Sequence, residues 1–75
     1  MKIGEIWRYK LGIENLIQSD PDCYEPGDEL VKINSFTFQM GYEGVVFNHM
    51  RSTCIGVLER TEFINQYERV YNEGG

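Results

Sequence analysis

The sequence predicts a mainly β domain with one C-terminal helix, arranged as a strongly bent antiparallel sheet or a partly open barrel of four to five strands. Three observations predict it. Residues Ile3 to Leu11 alternate with period two, the apolar stretch from Glu29 to Phe38 changes phase midway, and Phe63, Ile64, Tyr67, Val70 and Tyr71 fall on one helical face.

In the first stretch Ile3, Glu5, Trp7, Tyr9 and Leu11 share one face and Gly4, Ile6, Arg8 and Lys10 the other, the pattern of a half-buried strand. Trp7 is the only tryptophan, and its large apolar area places it at the centre of the core. Ile13 to Ile17 is too short to classify and fits a helical turn or a hairpin continued through Gly12. Residues 18 to 28 hold both prolines and a Pro-Gly pair and are expected to form a loop. In the strand from Glu29 to Phe38, Val31 and Ile33 take one parity and Phe36 and Phe38 the other. A bulge or sharp bend near Asn34-Ser35 is expected to bring all four inward. Gln39 to Tyr42 reads as a turn into a strand from Glu43 to Met50, and Asn48 to Ser52 as a turn into Thr53 to Leu58. The closing helix is expected over residues 61 to 71, with Thr61 as its cap, Glu62 and Arg69 complementing its dipole, and Asn72 and Gly74 ending it.

The chain has 75 residues, enough for a single domain over 1–75 with a small core. Its hydrophobic share of 41% and charged share of 25% are those of a folded domain rather than a disordered one. The longest uninterrupted apolar run is Val45-Val46-Phe47, so no membrane span is expected. The first residues lack the apolar core of a signal peptide, which makes the cytoplasm the expected compartment. In that setting Cys23 and Cys54 are expected as free thiols.

Gly4 and Trp7 near the start, Val31 and Ile33, Val45-Val46-Phe47, and then Leu58 with Phe63 and Tyr67 form a pattern that resembles the small SH3-like barrel proteins of bacteria and their phages. The resemblance spans most of the chain and is made of core residues. It implies an SH3-like fold and a phage or mobile-element origin, with host cytoplasm as the setting, and it implies no chemistry. The long acidic connection between the first strand and Val31 departs from the pattern.

That connection carries the charge. From Leu11 to Val31 there are six acids, Glu14, Asp20, Asp22, Glu25, Asp28 and Glu29, and no base. The chain as a whole has 12 acids and 7 bases, so the remainder is close to neutral and the formal charge of -5 is local to one segment. A negative patch of Asp20, Asp22, Glu25, Asp28 and Glu29, with Tyr24 as an aromatic anchor, is expected to dock on a host protein with a basic surface, such as one that handles nucleic acid. All these acids are expected outside the core. The bland alternative is a loop kept solvated by its charges.

Other chemistries find less support. Asp20 and Asp22 open like a calcium loop, but Glu25 stands where such a loop needs glycine and Val31 where it needs glutamate. His49 and Cys54 flank a turn, yet a cysteine nucleophile also needs an orienting group and a pocket. Two cysteines and one histidine lack the paired spacing of a zinc site. No enzymatic activity, cofactor or metal is expected. Nucleic-acid binding through Arg8, Lys10, Lys32 and Arg51, beside Tyr42, is the second reading, though four bases make a weak electrostatic footprint. A ubiquitin-like or sulfur-carrier role rests on Gly74-Gly75 and an opening strand, but such folds place their main helix after the first hairpin, where this chain has its acidic loop. An exposed sheet edge also allows pairing with a second copy.

Overall fold

The computed structural model describes residues 1–70. Five strands and two helices run in the order β1 (Ile6–Tyr9), α1 (Ile13–Ser19), β2 (Leu30–Gln39), β3 (Tyr42–His49), β4 (Ile55–Glu59), α2 (Arg60–Gln66) and β5 (Tyr67–Arg69). Every ladder is antiparallel, and the strands lie side by side as β4-β3-β2-β1-β5. The expectation of a mainly β antiparallel architecture therefore stands, whereas the single C-terminal helix is replaced by two short helices, the second followed by β5. The bent or barrel-like form does not stand. The sheet is neither closed nor strongly curled, β4 and β5 remain as edges, and the molecule is a slab of 33 × 33 × 20 Å. At this length one short helix is enough to cover the central strands, so burial does not require the edges to meet.

The longest ladder joins β2 to β3 through the two-residue turn Met40-Gly41, where both residues have positive φ (52° and 83°). That backbone matches the right-handed twist of the flanking strands. The register shifts between Ile33 and Ser35, so Asn34 is the extra residue of a bulge. Pairing of Val31 with His49, Ile33 with Phe47, and Phe36 with Val45 then puts Val31, Ile33 and Phe36 on one face, with Phe38 following by alternation. The bulge thus acts as the phase change predicts. Burial does not follow for all four, because the hairpin extends past the region that α2 covers. Val31 and Ile33 are buried, whereas Phe36 is 39% and Phe38 73% exposed.

The core lies between that face and α2. Trp7, Val31, Ile33, Val45, Phe47, Phe63 and Tyr67 are buried in it. Phe63 is fully buried, and its ring centroid is 5.0 Å from Trp7, 5.1 Å from Phe47 and 4.7 Å from Tyr67, on which it stacks. These tilted and stacked aromatic pairs add to the area they remove from water.

The ends of several elements differ from expectation. Strand β1 covers only Ile6–Tyr9, leaving Ile3 and Leu11 exposed at its ends. Residues 13–19 form helix α1, which extends the helical-turn reading through Gln18 and Ser19, so the loop starts at Asp20. Helix α2 begins at Arg60 with Glu59 in the cap position, and the Thr61 hydroxyl donates to Glu59 Oε1 at 2.9 Å instead of capping. The same helix ends at Gln66, because Tyr67 to Arg69 turn extended and pair with β1, Tyr9 opposite Tyr67 and Trp7 opposite Arg69. The four-residue spacing of Phe63 and Tyr67 suited a longer helix, but the same two rings stack across the helix-to-strand junction. Asn72 and Gly74, and with them the Gly-Gly reading, lie outside the described residues.

Phe63 is the ring on which α2 and the sheet converge. Phe63→Ala is expected to destabilise the domain by about 3–5 kcal/mol, most of the stability available at this size. Urea unfolding followed by tryptophan fluorescence measures it, since Trp7 is the neighbouring ring.

Candidate binding site beside the acidic segment

The acidic segment is tied to the turn between β3 and β4 by one carboxylate. Asp28 is fully buried. Its Oδ1 accepts the backbone N–H groups of Arg51 and Ser52 at 2.9 and 2.8 Å, and its Oδ2 accepts the N–H of Glu25 at 2.9 Å. Burial alone would raise its carboxyl pKa. The donors from Ser52, Glu25 and Arg51, together with the Ser52 hydroxyl, outweigh burial and hold it below the ordinary carboxylate range. The expectation that Asp28 lies outside the core is therefore corrected, because its oxygens replace backbone partners that the turn would otherwise lack.

His49 completes the tie. Its ring is buried, and Nδ1 lies 2.7 Å from the carbonyl oxygen of Asp28, so that nitrogen carries the proton. Tyr24 packs edge-on against His49 at 4.8 Å and is half-buried. Its phenol is pushed above the ordinary range, first by burial and then by the Cys23 and Cys54 thiols and the charges of Asp20 and Asp28. Gly27 has φ +106°, a backbone conformation that favours glycine, and a Cβ there would fall 2.4 Å from Arg51 Cγ.

Among the predicted site residues, Asp20, Asp22 and Glu25 are exposed. Glu25 lies 3.9 Å from Arg51 in a solvent-exposed pair, a geometry worth little in stability. Glu29 is half-buried and accepts the N–H of Gly27 at 2.9 Å. The structure therefore divides the predicted patch into three exposed acids, two acids that accept backbone N–H groups of the loop and of the β3–β4 turn, and an aromatic ring turned inward.

Leu16 and Tyr24 share with Tyr9, Phe47, His49 and Tyr67 the lining of a groove of about 250 Å³. Gly56 opens it: a Cβ there would fall 2.5 Å from the Phe47 ring. The Tyr9 and Tyr67 rings are 5.2 Å apart, and burial pushes the Tyr67 phenol upward, with Tyr24 and Tyr9 adding to the shift. Sequence reasoning missed this groove. Tyr9 shares a face with Trp7 by alternation, but nothing local to Leu16 or Tyr67 announces that they meet there.

Of the four bases of the nucleic-acid reading, three are engaged within the chain. Arg8 pairs with Glu68 across the β1–β5 ladder, Lys10 Nζ donates to the carbonyl of Ile64 at 3.2 Å, and Arg51 faces Glu25. Lys32 pairs in register with Ile6 on the face that carries Arg8. Among the described residues, no three His, Cys, Asp or Glu side chains are disposed to hold a metal, and no helix is long and apolar enough to cross a membrane.

Because the depressed Asp28 carboxyl contributes stability only while ionised, that contribution is complete above the ordinary carboxylate range and is lost as pH falls through the lower folded value. Asp28→Asn is expected to cost about 1–3 kcal/mol at neutral pH and to flatten the acid limb of the stability curve. Urea midpoints measured between pH 7 and pH 2 for parent and variant check both. Comparisons of this chain with protein-family models, curated proteins and solved structures give no match.

Proposed function

We propose that the protein is a non-enzymatic binding module that docks on a basic surface of a partner protein through its acidic segment. The observation that carries the reading is the groove wall. Leu16 and Tyr24 both belong to the stretch from Leu11 to Val31 that has six acids and no base, so the aromatic floor of Tyr9, Phe47 and Tyr67 sits next to a one-signed charge. An arginine or lysine side chain of the partner fits this chemistry. Asp20, Asp22 and Glu25 attract it at long range, and the half-buried rings of Tyr9 and Tyr24 receive it at contact.

The strand order, with a short helix between the last two strands, supports placing the domain as an open member of the SH3-like class. With that placement comes the setting implied by the sequence pattern: a phage or mobile-element accessory protein in a host cytoplasm, which modulates or inhibits a host protein by covering its basic face. The pairing of Arg8 with Glu68 favours a protein partner over nucleic acid, because it leaves fewer bases to contact phosphate.

The test is affinity capture from nuclease-treated bacterial lysate followed by binding kinetics on the recovered protein at two salt concentrations. Neutralising Asp20, Asp22 and Glu25 together to Asn and Gln is expected to slow association about tenfold or more at low salt, with a smaller effect at high salt. Tyr24→Ala is expected to act mainly on dissociation. Capture that disappears on nuclease treatment, or a triple variant that binds as fast as the parent at low salt, overturns the reading.

A further inference from the structure

Cys23 and Cys54 are 31 residues apart in sequence, yet their Sγ atoms lie 2.7 Å apart. That is well inside the ordinary contact distance of two unbonded sulfurs. Both thiols are free and half-buried, and Cys54 Sγ also lies 3.7 Å from the carbonyl oxygen of Cys23. Their approach does not depend on the sulfurs themselves. Asp28 fixes the backbone at Arg51 and Ser52, the Tyr24 ring rests on His49, and the N–H of His49 donates to the carbonyl of Cys54 at 2.8 Å. Between Ser52 and Cys54, Thr53 holds φ at +62°, a left-handed conformation that a β-branched residue adopts only where its surroundings impose it. The fold therefore supplies the proximity, and the sequence supplies two thiols at the point of contact.

We propose that Cys23 and Cys54 form a dithiol oxidation site whose co-reactant is a small-molecule disulfide of the glutathione class. The thiolate of one cysteine attacks a sulfur of the oxidant, forming a mixed disulfide and releasing one glutathione thiolate, which takes up a proton. The second cysteine, losing its proton to solvent, attacks the protein-side sulfur of that bond, forming the Cys23–Cys54 disulfide and releasing the second glutathione. In sum the protein gives up two electrons and two protons, and the oxidant accepts both as two thiols. The product cross-links the turn after α1 to the start of β4 and encloses β2 and β3 in a covalent loop, which restricts the unfolded chain far more than the folded one. The Cys54 thiol, ahead of burial, pushes the Cys23 thiol up to about 11, so exchange in the folded protein accelerates as pH rises from neutral.

Incubation of the full chain with oxidised glutathione, acid quenching, alkylation and intact-mass measurement test the proposal, in buffer and in concentrated urea. The expected product is a monomer lighter by two hydrogens that takes up no alkylating agent. From the mixed disulfide, closure should be about tenfold or more faster in the folded protein than in urea, and the melting temperature of the product should rise on the order of 10 °C, reversibly with dithiothreitol. Cys23→Ser and Cys54→Ser should each stop at the mixed disulfide without that rise. Mixed disulfides or interchain dimers as the stable products of the parent protein, or closure as fast in urea as in buffer, overturn it.

Discussion

The Asp28 carboxylate is the interaction on which the functional half of the molecule depends. A buried charge is normally a liability, since removing a carboxylate from water costs several kcal/mol unless its oxygens are satisfied. Here the donors are backbone N–H groups from two parts of the chain, Glu25 on one side and Arg51 and Ser52 on the other. The bond set replaces secondary structure where there is none: residues 20 to 29 have no ladder to pair with. Held in this way, the segment brings Tyr24 onto His49, Gly27 under Arg51, and Cys23 against Cys54.

The core answers to a different constraint. A five-stranded sheet with one short covering helix has few places to bury large rings, and the chain concentrates them where β1, β3 and α2 meet. Phe47, Phe63 and Tyr67 touch one another there and Trp7 packs on Phe63, with Val31, Ile33 and Val45 filling the strands between. The far end of the β2–β3 hairpin lies outside this cover. Phe38, Met40 and Tyr42 are exposed there, as are Ile55 and Val57 on the β4 edge, an apolar margin that a monomer of this size would be expected to shield or to use.

Features set by local periodicity were legible in the sequence. Alternation around Trp7, the phase change at Asn34-Ser35 and the turn at Met40-Gly41 each correspond to a strand, a bulge or a hairpin in the structure. Features set by distant partners were not. Asp28 has the same local signature as Asp20 and Asp22, all acids in a proline-bearing segment, and only the unpaired N–H groups of residues 51 and 52 distinguish it. Tyr67 sits at helical spacing from Phe63, but three residues of ladder with β1 outweigh continuing the helix, because the helix would have met no partner beyond Gln66 whereas β1 offers an open edge.

The open sheet and the groove have one cause. Were β4 to pair with β5, the space between Gly56 and Leu58 on one edge and Gln66 and Tyr67 near the other would be filled by the ladder, and Leu16 and Tyr24 would cover a closed wall. Because β5 is only three residues long and follows directly from α2, it pairs with β1 and does not reach β4. The concavity is left with an aromatic floor, and the segment that roofs it contains acids and no base. An alanine or larger side chain at Gly56 would push into the Phe47 ring and so disturb the floor, which makes that glycine as much a part of the groove's shape as the rings themselves.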